Sequence, residues 1–202
     1  MATFPTLLET LAPHDGRSVA SLTVVGGQLR SAGLVGVGGR GRGCIHVTAD
    51  DAAALVLASL WTDSPVASHR AVEVLASLKR KPAPEDKTLP RALGLVIRLP
   101  NFGETVAALI EFAHIIKKEV GDFRLDLTVT RPCPTATLEL VDWLGRRRLV
   151  AEWQVDAERL TKGFYLPEMR ERADRRHSTT LTSETLFALG DLIRRETVEV
   201  DA

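Results

Sequence analysis

The residue types best suited to chemistry cluster between positions 14 and 48. The charged residues there are Arg17, Arg30, Arg40 and Arg42, against Asp15 alone. Two of these arginines lie in the run Gly36-Val37-Gly38-Gly39-Arg40-Gly41-Arg42-Gly43. Glycine lets a backbone approach a ligand closely and leaves its N–H groups open to an anion. The forked donors of arginine suit a phosphate or a narrow minor groove. Such a loop is built to hold a polyanion, not to make or break bonds.

Other chemistries find little support. The pattern Gly36-x-Gly38-Gly39-x-Gly41 is neither a dinucleotide fingerprint nor a nucleotide phosphate loop, because no Gly-Lys-Ser/Thr follows. His14, His46, His69, His114 and His177 show no ligand spacing, and Cys44 and Cys133 stand far apart, so no metal site is expected. Cys44 reads as a small apolar filler and not as an activated thiol. Glu139, Asp142 and Glu152 fall on neighbouring strand patterns and read as solvated positions. Arg146-Arg147-Arg148 reads as an exposed polar turn. The Arg170, Arg172, Arg175 and Arg176 series, mixed with acids, reads as a charge-laced helix. No catalytic residue and no cofactor are expected.

The elements that must position the loop follow from periodicity. Phe4, Leu7, Leu8 and Leu11 recur at helical spacing, and Pro13 to Gly16 breaks that helix. Ser18 caps a second helix with Val19, Leu22, Val25, Leu29 and Ala32 on one stripe. Gly26-Gly27 marks either a turn between two short helices or a point of close packing. Gly33 ends the helix. Leu34-Val35 and Cys44 to Val47 are expected as two short strands flanking the glycine loop. Thr48 caps a helix with Asp50 and Asp51 in its first turn, and Ala52 to Trp61 should be buried. Ser64-Pro65 opens a further helix through Leu78.

Further on, Ala92 to Leu99 reads as a continuous apolar strand, and Glu104 to Lys118 as one amphipathic helix. Strand patterns follow at Phe123 to Val129, Thr137 to Trp143 and Leu149 to Val155, with Gly145 turning a hairpin between the last two. Met169 to Arg176 reads as helical, and Thr182 or Ser183 caps a final helix to about Arg195.

Residues 18 to 55 resemble winged helix-turn-helix proteins, MarR-type bacterial regulators in particular. The likeness lies in Leu29-x-x-x-Gly33-Leu34-Val35, in the tip arginines Arg40 and Arg42, and in the exit to a threonine-capped helix. It covers under a quarter of the chain. It implies a recognition helix in the major groove with Thr23, Gln28, Arg30 and Ser31 towards the bases, a wing whose Arg40 and Arg42 meet phosphate or minor groove, and Arg17 on the backbone. The implied partner is DNA, bound by a homodimer of bacterial or phage type regulating transcription. A second reading is a protein-binding adaptor or inhibitor that keeps a winged-helix scaffold without DNA contact.

Composition sets the frame. The 202 residues carry 26 basic and 26 acidic side chains, which excludes a globally basic, histone-like binder. Hydrophobic residues reach 45 %, enough for a packed core. No apolar run suits a membrane span and the first residues do not form a signal peptide, so a cytoplasmic protein is expected. Three prolines between Lys79 and Arg91 suggest a linker. The expected fold is α+β: a winged helix-turn-helix-like domain over residues 1–81, then a small mostly antiparallel sheet packed with helices over 82–202, serving dimerisation, partner binding or sensing.

Overall fold

The computed structural model describes residues 2–36, 46–61, 64–83, 86, 88–131, 133–156 and 177–200. Helix α1 (Phe4–Asp15) opens on a reciprocal cap. Thr3 N–H donates to Thr6 Oγ1 at 2.8 Å and Thr6 N–H donates to Thr3 Oγ1 at 3.4 Å, which supplies partners for donors a helix start leaves open. The helix ends at Gly16, whose φ of +76° is the left-handed region where a side chain would be strained. Phe4, Leu7, Leu8 and Leu11 form its buried face, as their spacing requires.

After the three residues Gly16-Arg17-Ser18, α2 (Val19–Ser31) begins with Ser18 accepting from Ser21 N–H. It runs unbroken through Gly26-Gly27, so the pair marks no turn; Gly26 is a point of close packing, whereas Gly27 is exposed. A Cβ on Gly26 would lie 2.5 Å from the Phe4 ring. The helix closes where Leu34 N–H reaches Leu29 O and Gly33 N–H reaches Arg30 O, with Gly33 at φ +72°.

The short strands expected beside the glycine loop do not form among the described residues. Gly36 N–H donates to Asp51 Oδ1 at 2.8 Å, and Val47 N–H donates to Ala2 O at 3.3 Å. Those donors are therefore not pairing the loop's two ends with each other. The loop itself, with Arg40, Arg42 and Cys44, lies outside the described residues.

Helix α3 (Ala49–Trp61) is buried continuously from Asp51 to Trp61. A helix apolar all round must be enclosed. A short 3-10 turn (Pro65–Ala67) leads into α4 (Ser68–Ala76) and strand β1 (Lys79–Arg80).

The run Ala92 to Leu99 forms not a strand but α5 (Arg91–Val96) and the turn after it. Its buried members are Leu93, Val96 and Ile97, at spacings of three and four, whereas Leu95 is 58 % exposed. A short apolar run fits either helix or buried strand, and here helical packing decides. The single helix expected over 104–118 is two, α6 (Phe102–Glu111) and α7 (Ala113–Val120), broken at Phe112.

Strands β2 (Arg124–Arg131), β3 (Thr135–Val141), β4 (Arg147–Gln154) and β5 (His177–Thr182) complete an antiparallel sheet of order β1-β4-β3-β2-β5. Leu125, Leu127 and Val129 point to the core, and Gly145 turns the β3–β4 hairpin at φ +78°. The sequence carries no strand pattern at β5, because Leu181 is its only aliphatic residue. Thr179 pairs with Val129 on the core side, and Thr180 faces outward, hydrogen-bonded to Thr128 across the ladder at 2.8 Å.

Helix α8 (Ser183–Val200) packs back across α6 and α7. Its Gly190 allows that approach, since a Cβ there would stand 2.5 Å from Ile110 O. The expected Met169 to Arg176 helix lies outside the described residues.

Among the described residues there are eight α-helices and one five-stranded antiparallel sheet, a mixed α and β architecture. One cluster of buried apolar residues runs from Ala2 to Leu189. The expected division at residue 81 falls one residue past β1, which pairs with β4 through Lys79↔Gln154 and Arg80↔Trp153. The buried Trp153 ring lies 5.2 Å from that of Phe102, so packing ties the sheet to the helices. No described helix is long and apolar enough to cross a membrane.

Candidate nucleic-acid interface

Helix α2 buries Leu22, Val25, Gly26 and Leu29 and turns its other side to solvent. The exposed side carries Ala20, Thr23, Val24, Gly27, Gln28 and Ser31. Three of the four side chains expected to face bases, Thr23, Gln28 and Ser31, thus share one accessible face. Thr23 Oγ1 donates to Val19 O at 2.8 Å and Ser31 Oγ donates to Gly27 O at 2.9 Å. Each hydroxyl spends its proton within the helix and keeps its oxygen as an acceptor. The face carries no formal charge.

Arg30 lies two turns on from Thr23, half-buried at the margin of the buried stripe. Its guanidinium carbon sits 3.8 Å from the centroid of the Phe4 ring. Its Nε is buried and makes no hydrogen bond. The two features locate a cation that is held in place by stacking.

Arg17 is placed differently from the expectation. Its guanidinium pairs with the Asp15 carboxylate through Nε, and its second terminal nitrogen donates to Ser59 Oγ at 2.7 Å. Only 15 % of the Arg17 side chain is accessible. It joins the start of α2 to α3 and is not turned outward towards a phosphate. A contact with a residue 42 positions along the chain leaves no mark in local sequence.

The most informative residue at the loop's base is Asp51, 8 % exposed. Its Oδ1 accepts from Gly36 N–H at 2.8 Å. Its Oδ2 accepts from Thr48 N–H at 2.9 Å and from Thr48 Oγ1 at 3.0 Å. Asp51 N–H donates back to Thr48 Oγ1 at 3.2 Å, closing the reciprocal cap of α3. One carboxylate therefore fastens both described ends of the glycine-arginine loop and starts the next helix. The Thr48-x-x-Asp51 spacing shows the cap in the sequence, but not the link to Gly36.

No protein-family model, no curated protein and no solved structure matches this chain. Any functional reading of the interface therefore rests on its own residues.

Arg146, Arg147, Arg148 and Lys81 are committed elsewhere. Arg146 bonds Asp142 at 2.6 Å, Arg147 bonds Glu139 at 2.9 Å and Asp126 at 3.3 Å, and Arg148 donates to Thr88 Oγ1 at 3.0 Å. All three line a cleft of about 420 Å³ with Phe123, Pro90 and Glu119. Desolvation pulls the Asp142 carboxyl up, but hydrogen bonds from Arg146 and Leu144 outweigh it and hold the group below its ordinary value. Glu152 accepts from Lys81 at 3.2 Å. Among the described residues no group of three or more His, Cys, Asp or Glu is arranged to hold a metal.

Proposed function

We propose that this protein is a DNA-binding regulator of bacterial or phage type, built on a helix-turn-helix with a glycine-arginine wing. The observation that carries the reading is the pairing of two features. Helices α1 and α2 are joined by a three-residue turn containing Gly16, and α2 presents Thr23, Gln28 and Ser31 on one open face. Beside the end of that helix, Asp51 ties down both ends of the loop carrying Arg40 and Arg42.

In this reading α2 enters the major groove and Gln28 reads adenine through its amide, which offers a donor and an acceptor together. Arg40 and Arg42 meet the phosphate backbone or a narrow minor groove. One helix and one loop cover little DNA, so a homodimer on two half-sites supplies the affinity. The sheet and its helices serve dimerisation or partner binding. The cytoplasm is the matching compartment.

A second reading is supported by the uncharged surface of α2, where Val24 is 53 % exposed. An adaptor would use that face against another protein. Selection from a pool of random duplexes separates the two. The parent protein should enrich a defined sequence, and Gln28→Ala should lose preference at one or two of its positions, since a bidentate contact discriminates by about 1–3 kcal/mol. A pool that stays random favours the adaptor. Identical enriched sequences from both proteins would remove Gln28 from base reading.

A further inference from the structure

We infer that Phe4 is a positioning residue that holds Arg30 as a phosphate clamp at the margin of α2, so that Arg30 supplies affinity and not sequence reading. The inference deepens the DNA-binding reading and rests on it. Three observations meet at one point. Gly26 has no side chain, and the Phe4 ring occupies the space a Cβ would need, 2.5 Å away. The same ring lies under the Arg30 guanidinium at 3.8 Å. Gly26 and Arg30 are four residues apart on one helix, so the glycine admits the ring at the place where the arginine lands on it.

Among the described residues the guanidinium has no carboxylate partner, and its Nε is buried without a hydrogen-bond acceptor. A buried donor with no acceptor is costly unless something offsets it. Stacking on an aromatic face offsets part of that cost and fixes the plane of the fork. Arg30, two turns on from Thr23, lies at the margin of the face that holds Thr23, Gln28 and Ser31, on the side where Phe4 of α1 packs. A helix seated in the major groove brings its flanks, not its groove-facing side, to the phosphate ridges.

The N-terminus braces this arrangement. Ala2 O accepts from Val47 N–H at the exit of the wing loop, and Thr3 caps α1. Residues 2 to 4 thus touch the end of α2, the loop exit and the first helix together.

The test is a double-mutant cycle with Phe4→Leu and Arg30→Ala, read as affinity for a random-sequence duplex at several salt concentrations. Leucine keeps an apolar filler at position 4 and removes the ring face. Arg30→Ala should weaken binding about tenfold at low salt, shallow the salt dependence by about one counterion, and leave sequence preference intact. Phe4→Leu should weaken binding about threefold where Arg30 is present and have no further effect in the Arg30→Ala background. Circular dichroism and thermal unfolding of each variant report folding, and Phe4→Tyr, which keeps the ring, should bind like the parent if Phe4→Leu unfolds. Equal effects of Phe4→Leu in both backgrounds, or parent-like binding and salt dependence in Arg30→Ala, overturn the inference while the DNA reading stands. Altered sequence preference in Arg30→Ala overturns the clamp role in favour of base reading. A parent protein that binds no duplex overturns both.

Discussion

Asp51→Ala should lower stability by about 1–3 kcal/mol and weaken DNA binding in the protein that remains folded. The carboxylate accepts three hydrogen bonds, from Gly36 N–H, Thr48 N–H and Thr48 Oγ1. Alanine leaves the two backbone donors without their acceptor in a largely buried setting, and α3 loses half of its reciprocal cap. That helix is the apolar axis of the core, so the loss is felt throughout it. Without Asp51 the ends of the loop at Gly36 and Thr48 are no longer tied to one point. Bringing them together on binding costs free energy that the parent has already met in folding. Asp51→Asn keeps one acceptor oxygen and should fall between the two. Urea unfolding gives the stability change, and duplex titration under folded conditions gives the binding change. Parent-level affinity in folded Asp51→Ala would mean the loop needs no fastening.

Replacing Arg40 and Arg42 together with alanine should have the largest effect on binding and almost none on stability. Each arginine that meets a phosphate releases bound counterions, so log K falls with log salt by about 0.9 per contact. The double variant should bind all sequences more weakly and show a slope shallower by about 2. Its sequence preference should match the parent's, because a wing on phosphate positions the protein without reading bases. Stability should stay within about 0.5 kcal/mol, the range of most surface changes. Unchanged affinity at low salt would remove the loop from the interface.

How much of this was legible in the sequence depends on the range of the interactions involved. Local signals read well. The stripe Phe4, Leu7, Leu8, Leu11, the C-terminal Gly33, the buried α3 and the Gly145 hairpin all express interactions within a few residues. Segments fixed by distant packing read poorly. Ala92 to Leu99 is apolar enough for a strand, and its place between α6 and α7 makes it a helix. Strand β5 has a single aliphatic anchor and exists through its ladder with β2. The residues flanking the glycine-arginine loop are strand-like, yet Ala2 and Asp51 take the backbone donors at Val47 and Gly36.

The candidate site divides the same way. The exposed face of α2 follows from helical period, so Thr23, Gln28 and Ser31 could be placed on it from sequence. Arg17 could not, because Ser59 and Asp15 draw it inward. Nor could the stacking of Arg30 on Phe4, which joins residues 26 positions apart. Gly26 carried a trace of it, as a glycine where a helix would prefer a side chain.

Titrating the unaltered protein with random-sequence duplex over a range of salt asks whether it binds DNA at all. Measurable binding is expected at about 50 mM salt, weakening steeply with a log–log slope near −3 per protomer if Arg30, Arg40 and Arg42 each displace counterions. No binding at that salt, or binding indifferent to salt, would contradict the DNA-binding reading.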